Sequence, residues 1–218
     1  MGVFLPNGST ISIAGTLAVE KLVSAISNAS PAVATSADHG YSAGDIVLLR
    51  SGWTSLQDRV ARVSTPTENT FALQGVSTED LKRFPVGLGA GGARVVPADG
   101  WTAISQILDS TNSGGDQQFY TFNFLEDTGD QRQIPTKRTP RQIQLQVADD
   151  PSMPHYEVLS AADADRLPRI LRLTLSSGAL IYYAAYVSFN KVPTLTQDQA
   201  MALTVTLSLA SEPTRYAS

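Results

Sequence analysis

The chain has 218 residues, with 16 Lys and Arg against 20 Asp and Glu, a formal net charge of −4, two His and no Cys. That length can bury a sizeable core without staples, the lack of cysteine excludes disulfides, zinc–thiolate sites and a cysteine nucleophile, and the acidic balance argues against a nonspecific grip on nucleic acid, which needs a basic face. No apolar run approaches the roughly 20 residues of a membrane span, and "MGVFLPNGST" lacks the basic start and long apolar stretch of a signal peptide, so the expectation is a soluble intracellular product with no membrane partner.

Strand signals dominate from the start. "TISIAG" (10–15) alternates around Ile11 and Ile13, "GDIVLLR" (44–50) is a short apolar run, and "RVARVST" (59–65) and "TFALQGV" (70–76) carry Val60, Val63, Phe71 and Leu73. The stretch 27–95 reads as a strand-and-turn module that closes in "GLGAGGA", taken as a flexible linker. "WTAISQIL" (101–108) has helix-like spacing but is short, so periodicity alone leaves helix and strand open. "DSTNSGGD" (109–116) reads as a polar loop.

"QQFYTFNFLED" (117–127) predicts a strand, and "RQIQLQVAD" (141–149) is the clearest one: Ile143, Leu145 and Val147 alternate with Gln142, Gln144 and Gln146. "PHYEVLSAADADRL" (154–167) predicts a helix opened by Pro154 and stopped by Pro168. "RILRLTLSSGALIYYAAYVSFN" (169–190) predicts two strands turned at Ser176-Ser177-Gly178. "AMALTVTLSLAS" (200–211) alternates Leu203, Val205, Leu207 and Leu209 with polar residues.

The catalytic inventory is thin. Gly87, Gly89 and Gly92 match a G-x-G-x-x-G pattern, but the surroundings read as extended and give no helix start to hold a pyrophosphate. Asp149-Asp150 runs straight into Pro151, as a strand end entering a turn does. His155 has no companion ligand at metal-site spacing, which leaves it a surface or capping role. In "SADHGYSAGD", Asp38-His39-Gly40 and Gly44-Asp45 read as turns. Ser42 and Asp45 do not define a triad with His39. No catalytic residue, cofactor or metal is expected.

One stretch stands apart. "DTGDQRQIPTKRTP" (127–140) joins two predicted strands and is too long for a tight hairpin. It sets Arg132, Lys137 and Arg138 against Asp127 and Asp130, with Ile134 beside Pro135. Ordering such a loop costs about 1–2 kcal/mol of backbone entropy per residue, which a partner surface would offset. Arg132, Gln133, Ile134, Pro135, Thr136, Lys137 and Arg138 are therefore the candidate subunit-contact residues, irregular in the free subunit and ordered against a neighbour.

The stretch "AVATSADHGYSAGDIVLLRSG…RVARVSTPTENTFALQGV" resembles a small β module recurrent in virion tail proteins, with His39-Gly40, Gly44-Asp45 and Phe71-Ala72-Leu73 in its characteristic positions. The strings "GWTAISQIL", "GGDQQFYTFNFLED", "IPTKRTPRQIQLQVADDPSMPHYEVLSAA", "LTLSSGALIYYAAYVS" and "EPTRYA" resemble the tail tube (major tail) proteins of long, flexible, non-contractile bacteriophage tails. The resemblance implies a mainly β fold of two packed sheets, sandwich- or barrel-like, with one flanking helix, and makes 101–108 a strand. It implies a core from 1–26 and 96–218, with 27–95 as an inserted small β module. It implies a structural virion protein whose hexameric rings stack into a tube that delivers the phage genome. The partners would be further copies and other tail proteins such as terminator, tape measure and tip, with DNA passing through the lumen without specific binding.

Strand faces rich in Thr, Ser and Gln, with no catalytic constellation, fit self-assembly through side-chain hydrogen bonds and free edges. The alternatives are a tail-terminator or neck protein that stops at one ring, a β-sandwich binding module of the tail tip, and a hydrolase built on His39. Because the strands outside 27–95 carry their own alternating pattern, a chain lacking 27–95 is expected to fold.

Overall fold

The fold was analysed in a computed structural model that describes residues 7–126, 128–195, 197–198 and 200–217. Residues 1–6 of the N-terminal stretch, and Asp127, lie outside them. The architecture is mainly β, with 47% strand and 7% helix.

In chain order the elements open with β1 (Thr10–Ala14), β2 (Lys21–Val23), β3 (Ala25–Ile26), β4 (Ala32–Thr35), β5 (Ile46–Ser51), β6 (Val60–Ser64), β7 (Thr70–Gln74) and β8 (Gly91–Val95). They continue with β9 (Trp101–Ile104), β10 (Ile107–Ser113), β11 (Gln117–Phe122), β12 (Arg132–Arg138), β13 (Gln142–Ala148), α1 (Pro154–Asp165), β14 (Arg169–Thr174), β15 (Leu180–Thr194), β16 (Ala202–Leu209) and β17 (Thr214–Tyr216).

The larger sheet runs β10-β13-β16-β15-β14-β1-β9, with β17 also paired to β15. Its two ends, β9 and β10, are neighbours in sequence, joined only by Ser105 and Gln106. The sheet therefore curls until its edges meet at one corner, like a barrel left open along the rest of its seam. Leu145, Val147, Leu171, Tyr183, Val205 and Leu207 fill its inside, the face that the alternation in 141–149 and 200–211 marks out. Helix α1 caps this core. Pro154 occupies its first turn, Arg166 takes a left-handed φ of 56° at its C-cap, Leu159 and Ala162 are buried, and Tyr156 meets Phe189 edge-on at 5.2 Å.

The second sheet runs β2-β8-β5-β6-β7-β4-β3. It draws in β2 and β3, which precede residue 27, and has its own core around Trp53, Phe71, Leu49 and Leu73. The glycine-rich stretch is no flexible linker: Gly91–Val95 is a strand inside this sheet, held between β2 and β5. Glycine is needed there because a Cβ on Gly91 would stand 2.0 Å from the Arg50 carbonyl oxygen.

The two sheets do not hang apart. Ile46, Leu48 and Val60 of one pack with Ala14, Ile170, Tyr182, Ala184 and Tyr216 of the other in a common core. Strand β17 clasps the joint. The Tyr216 hydroxyl accepts from the Arg62 amide at 2.8 Å and donates to the Gln74 carbonyl at 3.0 Å, and Thr214 Oγ1 donates to the Val60 carbonyl at 3.0 Å. The Arg62 guanidinium lies 4.0 Å over the Tyr216 ring.

Two segments expected to be loops are strands. The polar stretch 109–116 contains most of β10, an edge strand exposed along Leu108–Ser113, so no apolar residue had to mark it. In 127–140, residues 132–138 form β12, while 123–126, read as strand, turn away from β11.

Candidate assembly surface

β11 and β12 form a two-stranded sheet of their own, pairing with no other strand among the described residues. Its register sets Gln117 opposite Arg138, Tyr120 opposite Ile134 and Phe122 opposite Arg132, with a bulge between Gln117 and Phe119. Pro135 lies opposite Phe119 beside this bulge. A two-stranded ribbon tolerates a proline because each strand has a free edge.

The foot of this arm is fixed. Gly114 and Gly115 take φ of 78° and 87°, and a Cβ on Gly114 would meet the Pro140 carbonyl oxygen at 1.9 Å. The Gly115 amide donates to the Thr139 carbonyl at 3.2 Å, the Thr139 amide to the Asp116 carbonyl at 3.0 Å, and the Asp116 amide to Thr139 Oγ1 at 3.0 Å.

All seven predicted contact residues, Arg132 to Arg138, are exposed on this arm. Beside them the arm shows apolar side chains from the stretch 117–127, which the sequence predicts as a strand: Phe119 is 53% and Tyr120 63% exposed, and Leu125 is fully exposed. Tyr120 stacks on Phe122 at 6.2 Å, Phe122 meets Phe124 edge-on, and the Arg132 guanidinium stands 5.1 Å over Phe124. The signal that could have found the arm was a strand with aromatics on both faces, since a two-faced apolar strand outside a sandwich has nothing of its own to pack against.

Two recesses lie at the arm's foot and share Ala210, Ser211 and Glu212. One, of 320 Å³, is lined by Arg59 and Arg83, and the other, of 180 Å³, by Arg138 and Arg141. Arg141 pairs with Glu212 at 3.7 Å in the smaller of them. A separate 530 Å³ cleft follows the open seam of the larger sheet between Ile11, Leu173 and Tyr183 on one side and Ile107 and Ile143 on the other.

The histidines have structural work. His39 is buried, with Asp38 at φ 46° and Gly40 at 70°. Its Nδ1 accepts from the Tyr41 amide at 2.9 Å and its Nε2 lies 3.2 Å from the Thr70 carbonyl. Its ring packs between Tyr41 and Phe71. Ser42 and Asp45 close the adjoining turn on each other, the Ser42 amide donating to Asp45 Oδ2 at 2.8 Å. Burial, with Asp45 and Glu20 nearby, pushes the Tyr41 hydroxyl up to about 12.

His155 is not at the surface as expected but buried at 3% exposure, because the first turn of α1 lies on the core. Loss of hydration holds its pKa below the usual histidine value, partly opposed by Asp150. Asp150 caps its own turn by accepting from Ser152, which lowers its pKa. Among the described residues no group of three or more His, Cys, Asp and Glu could hold a metal, and no helix is long and apolar enough to cross a membrane.

Among solved structures, the chain is similar to one from a sheath–tube complex of an extracellular contractile injection system (PVC) in its extended state. Identity is 14% and the TM-score 0.34, covering 50% of this chain and 80% of that one. It is also similar to the tube-terminating cap of the anti-feeding prophage, at 18% identity and a TM-score of 0.32, covering 50% of this chain and 79% of that one. No curated protein matches it. The match that covers most of the chain is to a family described as phage tail tube protein. It runs through residues 51–218, taking in the arm, all of the curled sheet but β1, and the C-terminal clasp, and so this chain belongs to the phage tail tube protein family.

Proposed function

We propose that this structural protein of the phage tail builds the tube of a long, non-contractile tail. Six copies close into a ring, rings stack, and the genome leaves through the lumen without being bound. The subunit-contact residues are Arg132, Gln133, Ile134, Pro135, Thr136, Lys137 and Arg138. Terminator, tape measure and tip proteins would meet the same tube at its ends and in its lumen.

The observation that carries this reading is the arm. It projects as an isolated ribbon with exposed Phe119, Tyr120, Leu125 and Ile134. Isolated two-stranded ribbons are marginal in water, and a neighbouring subunit supplies the missing packing. The net charge of −4 also favours a conduit, since phosphate contacts from a basic lumen would retain DNA.

Negative-stain microscopy of the purified chain at high concentration tests the proposal. Long tubes are expected, and replacing 130–138 by a short Gly-Ser linker should keep the β spectrum and abolish them. Single rings that never stack would point instead to a terminator or neck protein. Monomers at every concentration, or tubes from the shortened chain, would overturn the arm's role.

A further inference from the structure

We infer that the arginine-lined recesses at the foot of the arm receive the tip of the arm of a second copy, joining subunits head to tail. This rests on the reading of the arm as an assembly element and names the surface it docks on.

The foot gathers Arg59, Arg83, Arg138 and Arg141 around the Ala210–Glu212 turn, with Glu212 as the one carboxylate among the lining residues. Arg59 Nε is buried there without a hydrogen-bond partner, and Arg83 and Arg138 are exposed. This is an excess of positive charge on a chain that is acidic overall. The tip is its complement: between Phe122 and Arg132 it carries Glu126 and Asp130, both exposed, and no basic residue, with Leu125 fully exposed beside them. Guanidinium groups pair with carboxylates in a directed, bidentate fashion, and Leu125 would meet the partly buried Leu209 and Ala210 in the recess floor.

The tip cannot reach its own foot. At about 3.3 Å per residue, β11 alone holds them roughly 17 Å apart, and the ladder to β12 keeps the arm extended. The contact is therefore between copies. Its two halves are different surfaces, so it is heterologous, the kind that generates rings or filaments rather than closed dimers.

The test is a charge swap on the full chain. Arg83→Glu with Arg138→Glu, and separately Glu126→Lys with Asp130→Lys, should each cut the sedimenting assembled fraction at least tenfold. The chain carrying all four changes should recover it. If a reversed chain loses its β-type circular dichroism, the neutral pairs Arg83→Gln with Arg138→Gln and Glu126→Gln with Asp130→Asn serve instead, with a smaller loss expected. The chain lacks cysteine, so Gly129→Cys with Thr54→Cys should also give a ladder of covalent oligomers with a short bismaleimide.

Normal assembly of the folded double variants, or failure of the folded fourfold variant to recover, would overturn the receptor assignment. So would retention of single-stranded or duplex DNA that the Arg83 and Arg138 changes abolish while assembly stays normal, because the recess would then be an anion site for nucleic acid. If charge reversal does nothing while the linker-shortened arm still blocks tubes, the arm's role stands and only its receptor is wrong. If the shortened arm also assembles, both fall.

Discussion

Tyr216 joins the two sheets from the far end of the chain, so its removal should be felt in both. Tyr216→Phe keeps the ring but strips the hydroxyl from between the Arg62 amide and the Gln74 carbonyl. A buried polar group left without its partner costs about 1–3 kcal/mol. Water can reach part of this site, so about 2 kcal/mol in total is expected. Tyr216→Ala also empties a site only 6% exposed. Loss of a buried aromatic ring costs about 3–5 kcal/mol, and the guanidinium stacked on it contributes about 1 kcal/mol more. The sum, about 6–8 kcal/mol, is a large share of the roughly 5–15 kcal/mol that holds a domain folded. Urea unfolding measures it, with two tryptophans as separate reporters: Trp53 in the core of the smaller sheet and Trp101 beside the common core. Both should report one coincident transition that moves to lower urea in the order wild type, Phe, Ala. A Phe variant within 0.5 kcal/mol of wild type, or a Trp53 transition that stays put while that of Trp101 shifts, would refute the clasp.

Four further outcomes follow from the same packing. Deleting 27–95 removes Ile46, Leu48 and Val60 from the common core, so the product should expose apolar surface, bind a hydrophobic dye and aggregate, contrary to what the strand pattern outside the module suggests; a cooperative thermal transition in that product would contradict this. His39→Ala should lower stability by about 2–3 kcal/mol, by loss of buried contacts and of its hydrogen bonds, yet leave assembly of the folded chain unchanged in sedimentation. The His155 pKa is lowered in the fold, so the unfolded chain binds the extra proton: stability is complete above about pH 6.5 and declines as pH falls through the folded value, and His155→Leu should flatten that part of a stability–pH curve. The Tyr41, Tyr183 and Tyr216 hydroxyls are all raised by burial, so stability should be complete below about pH 10 and fall above it, which alkaline urea titration would show.

Periodicity carried the sequence reading wherever a strand had one wet face and one dry face. Ile143, Leu145 and Val147 and the run from Leu203 to Leu209 lie in the core of the larger sheet as their alternation requires. It failed where a strand has no dry face. Residues 108–113 are exposed throughout, and β12 is exposed at every residue and carries Pro135, so neither offers an apolar stripe to count. The proposed contact residues were picked out by charge and by the stranded Ile134, whereas 117–127 was read only as a strand, with nothing in its pattern to show that Phe119 and Tyr120 are exposed. His155 misled in the opposite sense: the pattern around Pro154 locates the helix start, but not that its first turn faces inward. The common core was illegible, because it joins residues as distant as Ile46 and Tyr216, and nothing local couples them.

The clasp also sets an order of events at the ribosome. The smaller sheet is complete once Val95 has emerged, but the face that carries Ile46, Leu48 and Val60 stays uncovered until β14, β15 and finally β17 have been made. At about 5–20 residues per second, Tyr216 follows Val95 by roughly 6–24 s. Throughout that interval the folded smaller sheet presents a bare apolar surface to its surroundings. Strand β17 is thus the last of the described elements to close over a surface that would otherwise bind chaperones or a second nascent chain.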